Sequence, residues 1–162
     1  YNCKKMANYI NPDRNVVVPG LDPVVNFESM RLRYESITAA KELTVKDSGK
    51  LFGLNLAAGF TVTLPAVADA EAGWFCEFFV GTVTTSNNYI ITEKTSADTD
   101  VIVSHMSILE IDDTDDGLHS AGHTTITFEA TPALGDRVRI FCDGSKYYAT
   151  GLGVSDDFVA LA

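Results

Sequence analysis

From residue 41 onward the chain is written in short runs of Val, Ile, Thr, Phe and Tyr, separated by Gly, Asp, Asn and Pro, which is the text of strands and turns. In Phe60-Thr61-Val62-Thr63-Leu64 apolar and polar residues swap at every step, so one face is buried and the other wet. Strands are expected near 42–46, 50–56, 60–64, 74–83, 88–93, 100–111, 124–129, 136–142 and 145–151. Chain reversals are signalled at Asp47-Ser48-Gly49, Ala58-Gly59, Ser86-Asn87-Asn88 and Asp143-Gly144, the last as a tight hairpin. Val67–Ala72, preceded by Pro65, is short enough to read as a loop or one helical turn. No stretch sustains a 3.6-residue period, and no repeat of 20 to 50 residues stands out, so the expected fold is an all-β, antiparallel sandwich or barrel.

Residues 1–40 follow a different pattern. Pro12, Pro19 and Pro23 break the segment, and only Val16–Val18 could form a strand, so it reads as an extended N-terminal arm ahead of an all-β domain at 41–162. The arm has apolar anchors at Val16, Val17, Val18, Leu21, Val24, Val25 and Phe27. A segment too irregular to build its own core but studded with anchors suits ordering on a partner, with Val16–Val18 available to extend an open sheet edge. The alternative is an arm folded back on its own domain. The chain opens at Tyr1 and Met6 heads a plausible start, so residues 1–5 read as leader, remnant or flanking sequence.

Composition narrows the function classes. With 162 residues, one domain plus an arm is expected, and a chain of this size needs neither disulfide nor metal to fold. A formal charge of −10 argues against a nucleic-acid groove, which requires a basic stripe. No apolar stretch approaches the ~18 residues of a membrane span, so neither a membrane nor a secretory leader is expected. Cys76 and Cys142 sit inside apolar runs and read as small buried hydrophobes made in a reducing compartment; Cys3 makes the count odd.

Candidate chemistry is sparse. Asp112-Asp113-Thr114-Asp115-Asp116-Gly117 invites a calcium reading, but Thr114 and His123 fall where an EF-hand loop needs carboxylates, leaving an acidic loop between strands. His119 and His123 have the spacing of zinc ligands on a helix, yet Gly117 and Gly122 argue against a helix, no Glu intervenes, and the segment reads as a mobile or interface loop. Gly151-Leu152-Gly153 leads into no phosphate-binding motif, and no nucleophile elbow occurs, so no enzyme, cofactor or metal site is expected. The aromatics Trp74, Phe75, Phe78, Phe79, Tyr147 and Tyr148 fall within strands. Adjacent pairs must point to opposite faces, one filling the core and the other calling for cover, for which a subunit interface is the economical choice.

The stretches ITAAKELTVKDSGKLFGLNLAAGFTVTLPAV, GWFCEFFVGTVTTSNNYIITE and GDRVRIFCDGSKYYATGLG together resemble a module of tailed-bacteriophage structural proteins, over about residues 37–153. Its pieces are L-T-x-x-D-S-G-K, G-x-x-V-T-L-P, F-x-V-x-T-x-x-T-S-N-N-Y-x-I and G-D-x-V-x-x-x-x-D-G-x-x-Y-Y. These are turn and core signatures, so no functional residue carries over individually. The resemblance implies a capsid decoration (cement) protein, made in the host cytoplasm and bound as a homotrimer to the major capsid protein on the outer capsid surface. A head- or tail-fibre or receptor-binding module is the alternative it leaves open. The absence of a coiled-coil or repetitive shaft favours the capsid.

Overall fold

The computed structural model describes residues 15–16, 25–26, 32–94, 101–109, 117–129, 132–154 and 159–162. The chain divides into two units, Tyr1–Arg33 and Tyr34–Ala162. In the first, β1 (Asn15–Val16) pairs antiparallel with β2 (Val25–Asn26), setting Asn15 opposite Asn26 and Val16 opposite Val25. Val16 falls in the Val16–Val18 run read as able to form a strand, while its partner strand at Val25 is not announced by the sequence. The β unit begins at Tyr34, inside the segment read as arm, because β3 (Arg33–Ile37) is an edge strand of its larger sheet.

The second unit is an all-β sandwich of two mixed sheets. Its strands are β4 (Lys41–Glu42), β5 (Lys50–Leu54), β6 (Phe60–Leu64), β7 (Ala72–Val80), β8 (Tyr89–Glu93), β9 (Ile102–Ile108), β10 (Gly117–His123), β11 (Thr125–Phe128), β12 (Arg137–Asp143), β13 (Tyr147–Gly153) and β14 (Val159–Leu161). Seven strands run in the order β10-β9-β13-β12-β7-β5-β3, and five in the order β14-β11-β8-β6-β4. The parallel pairings include β5 with β7, β6 with β8, β4 with β6, and β13 with β9. For the first two the reason is topological. The turn after each strand sends the chain into the facing sheet, so β5, β6, β7 and β8 alternate between sheets and every second strand runs the same way.

Several expected elements differ in detail. The strand read at 42–46 is only β4, followed by a 3-10 turn at Val45–Asp47, because the Asp47 carboxylate accepts hydrogen bonds from the Thr44 backbone N–H (2.8 Å) and hydroxyl (2.9 Å) and curls the backbone. Val67–Ala70 is a single helical turn, α1. The segment 117–123, read as a loop, is β10, and β3 and β14 are further strands that the sequence did not announce. Asp112–Asp116 lies outside the described residues. The Asp143-Gly144 hairpin is present: Asp143 Oδ1 accepts the backbone N–H groups of Ser145 and Lys146 (2.7 and 2.8 Å), and Gly144 takes φ +93°. Those two N–H groups, with the Ser145 hydroxyl, hold the Asp143 carboxyl well below the usual carboxylate range.

Strand alternation builds the core. Trp74, Cys76, Phe78 and Val80 of β7, with Val138, Ile140 and Cys142 of β12, face inward and meet Val62, Leu64, Tyr89, Ile91, Ile126 and Phe128 of the smaller sheet. Phe52 stacks on Phe78 (5.3 Å between centroids), and Trp74 meets Tyr147 edge-on (5.8 Å). Polar tips are satisfied: Trp74 Nε1 donates to Thr44 O, and the Tyr147 hydroxyl to Pro65 O at 2.8 Å. Cys76 and Cys142 are buried and unpaired, as their apolar context implied, and burial pushes the Cys76 thiol well above its ordinary range.

Candidate functional site

The outward side of the larger sheet carries what the core does not use. Register sets Phe75 opposite Phe141, Phe141 opposite Tyr148, and Tyr148 opposite Val103, so one row crosses four strands with three aromatics in succession. The Phe141 and Tyr148 rings stack at 5.2 Å, 16° from parallel, and Phe141 is 43% exposed. The next row runs Leu51, Glu77, Arg139, Thr150, His105 and His119. The third places Gly53, Phe79, Arg137, Leu152 and Ser107 side by side, with Tyr34 stacked on Phe79 at 6.1 Å. Arg139 lies over the Phe75 ring at 5.7 Å, and the Tyr148 hydroxyl donates to Asp143 Oδ2 at 3.0 Å. On a chain of formal charge −10 this face presents two guanidiniums beside an aromatic row, a composition suited to protein contact.

The pairs flagged in the sequence divide as alternation requires. Phe78, Trp74 and Tyr147 enter the core, while Phe79, Phe75 and Tyr148 turn outward. Of the arm anchors, Val16 and Val25 are brought together as cross-strand partners in the first unit, and Val17, Val18, Leu21, Val24 and Phe27 lie outside the described residues.

His119 and His123 do not form a pair. A bulge between Ser120 and His123 shifts the register of β10, leaving His119 exposed and His123 only 3% exposed. His123 Nδ1 lies 2.9 Å from Thr125 O and Nε2 lies 2.6 Å from Ser104 Oγ. A carbonyl can only accept, so Nδ1 carries the proton and Nε2 accepts from the Ser104 hydroxyl. A serine bonded to an oriented imidazole is the geometry of an activated nucleophile, but Ser104 is fully buried. The pair instead pins the corner where the chain leaves the larger sheet at β10 and enters the smaller one at β11. Sequence reasoning missed it because Ser104 and His123 are far apart in the chain and only the β9–β10 ladder joins them.

The buried and half-buried carboxylates also do structural work. Glu35 and Asp47 share Lys50 at 2.7 Å each, and Glu35 also bonds Lys41. Asp136 accepts the backbone N–H groups of Ala133 (2.7 Å) and Val154 (3.1 Å). Glu93 accepts that of Val67 at 3.3 Å. Among the described residues no group of three or more His, Cys, Asp or Glu side chains is placed to hold a metal ion, and no helix is long and apolar enough to cross a membrane. The chain matches no family model, no curated protein and no solved structure.

Proposed function

We propose that this chain is a virion structural protein: a capsid decoration protein that binds the outer capsid surface as a homotrimer and stabilises the head against the pressure of packaged DNA. The observation that carries the reading is the row of Phe75, Phe141 and Tyr148 on the outward side of the larger sheet, with Phe141 exposed and its two neighbours half-buried, since outward-facing apolar patches usually mark contact sites. The turn and core signatures quoted from the sequence support it from a different side. The aromatic face joins subunits around a three-fold axis, matching the local three-fold positions of an icosahedral lattice. The arm anchors then grip the major capsid protein, and three linked contacts raise avidity by roughly 10² to 10⁴. The work is mechanical, with no catalytic step, cofactor, nucleic acid or membrane in it.

Sedimentation of the purified protein tests the assembly. A trimer is expected at micromolar concentration, insensitive to moderate salt, and Phe141→Asp should yield a folded monomer. A parent chain that sediments as a stable monomer overturns the trimer. Deleting residues 1–30 should leave the β unit folded and abolish binding to capsids stripped of the protein; decoration as tight as that of the full chain would move the capsid contact to the β unit.

A further inference from the structure

We propose that His105 and His119 form a two-ligand site for a divalent first-row transition-metal ion, favouring Cu2+ and Ni2+. Register sets the two residues directly opposite each other on β9 and β10, on the outward side of the larger sheet. Their ring centroids are 4.5 Å apart, with 49° between the planes, and both side chains are exposed. Two imidazoles on one ion each sit about 2.0–2.1 Å from it, which requires ring nitrogens roughly 3 Å apart. Rings already this close reach that spacing by rotating about exposed side-chain bonds, without moving the ladder. Neither ring has a hydrogen-bonding protein partner among the described residues, so no protein contact has to be broken for their nitrogens to turn toward an ion.

The donor set fixes the ion class. Imidazole nitrogen suits Cu2+, Ni2+ and Zn2+ rather than Ca2+ or Mg2+, and affinity for a nitrogen site rises through Ni2+ to Cu2+. With no third His, Cys, Asp or Glu gathered at the pair among the described residues, the remaining positions fall to water or to a donor on another molecule. Ligand counts are readable because the chain has three histidines and the third, His123, is buried against Ser104. The site does not depend on the capsid reading.

The test is titration of untagged protein, with Cys3 alkylated so that its thiolate does not compete, using NiCl2 or CuCl2 alone in a calorimeter. One ion per chain is expected, and His105→Ala or His119→Ala should each weaken binding by about 10²-fold, the loss expected when a two-point attachment becomes single. Electron paramagnetic resonance of the Cu2+ adduct should show two imidazole nitrogens in the parent and one in either variant. Both substitutions are at exposed positions and should leave the circular dichroism melt unchanged. No saturable binding at hundreds of micromolar ion, or binding that survives in the double variant, would overturn the proposal.

Discussion

The two sides of the larger sheet are built from the same residue types and do opposite work. On β7, Phe78 is fully buried against Phe52 while Phe79, one residue on, stacks on exposed Tyr34. On β9, Ser104 is sealed against His123 while His105 faces His119 in the open. On β12, Ile140 is in the core while Phe141 is 43% exposed. Residue identity therefore does not decide role here. The two-residue period of the strand does, and it separates a packed face from an outward one.

The sharpest way to break this contrast is at Phe78. Phe78→Ala removes a ring stacked on Phe52 in the centre of the core and should cost about 3–5 kcal/mol, read from denaturant midpoints. Trp74→Ala should behave similarly, losing its edge contact with Tyr147 as well as its bond to Thr44 O. If both variants unfold like the parent, the inward assignment of β7 is wrong.

Next comes the inward polar pair. Ser104→Ala leaves His123 Nε2 buried without its hydroxyl donor, which should cost about 1–3 kcal/mol. Ser104→Cys, which keeps a weak donor, should recover part of that loss. An unchanged melting midpoint in Ser104→Ala would mean that the β10–β11 corner is held by other contacts.

Much of this architecture was legible in the chain, and the misses have a common cause. Alternation in Phe60–Leu64 announced that strand and its buried face, and the apolar run at 74–83 announced β7 without telling which member of each aromatic pair turns inward. Ala58-Gly59 and Ser86-Asn87-Asn88 were correctly read as reversals, and the two turns lie together: Thr85 N donates to Ala57 O at 2.7 Å, and a Cβ on Gly59 would come within 2.5 Å of Asn87 O. A turn residue signals that the chain reverses but not whether it returns to the same sheet or crosses to the facing one, so the parallel pairings could not be seen locally. Gly117–His123 hid for another reason: its glycines and bulge erase both the β-branched composition and the alternation that mark a strand. The outward rows needed three-dimensional register, since Phe75, Phe141 and Tyr148 are neighbours only across β7, β12 and β13.

A smaller effect is expected at the rim, where charge replaces packing. A hydrogen bond from Lys41, followed by one from Lys50, holds the Glu35 carboxyl below its ordinary value. At Asp47 burial pushes upward, but bonds from Lys50 and from Thr44 outweigh it and the net shift is downward. A carboxylate depressed in the folded state contributes stability that is complete above its unfolded value and is lost as pH falls through the folded one. Asp136 is shifted upward, chiefly by burial, and so contributes in the opposite sense, losing stability as pH rises through its folded value. Asp47→Asn should therefore cost about 0.5–1 kcal/mol at pH 7, with the gap to the parent closing as pH drops below the ordinary carboxylate value of 3.8. A gap that stays constant between pH 7 and 3 would show that Asp47 is not part of the acid response.

The smallest effect on stability is expected where the proposed effect on assembly is largest. Phe141 stacks on Tyr148 and faces Phe75, yet it is 43% exposed and stands outside the core cluster of the described residues. Truncating it to alanine gives up one exposed stacking contact and creates no cavity, so Phe141→Ala should stay within about 0.5 kcal/mol of the parent in chemical denaturation. At an interface the same ring would be buried on both sides, and aromatic anchors of that kind commonly account for 2 kcal/mol or more of binding. The proposed trimer should then weaken by at least roughly thirty-fold in sedimentation while the monomer fold is kept. Set beside Phe78→Ala, this gives a double dissociation between two phenylalanines on paired strands: one controls folding and the other association. If Phe141→Ala instead destabilises the fold as Phe78→Ala does, the outward row belongs to the core of the domain and the contact surface has to be sought elsewhere.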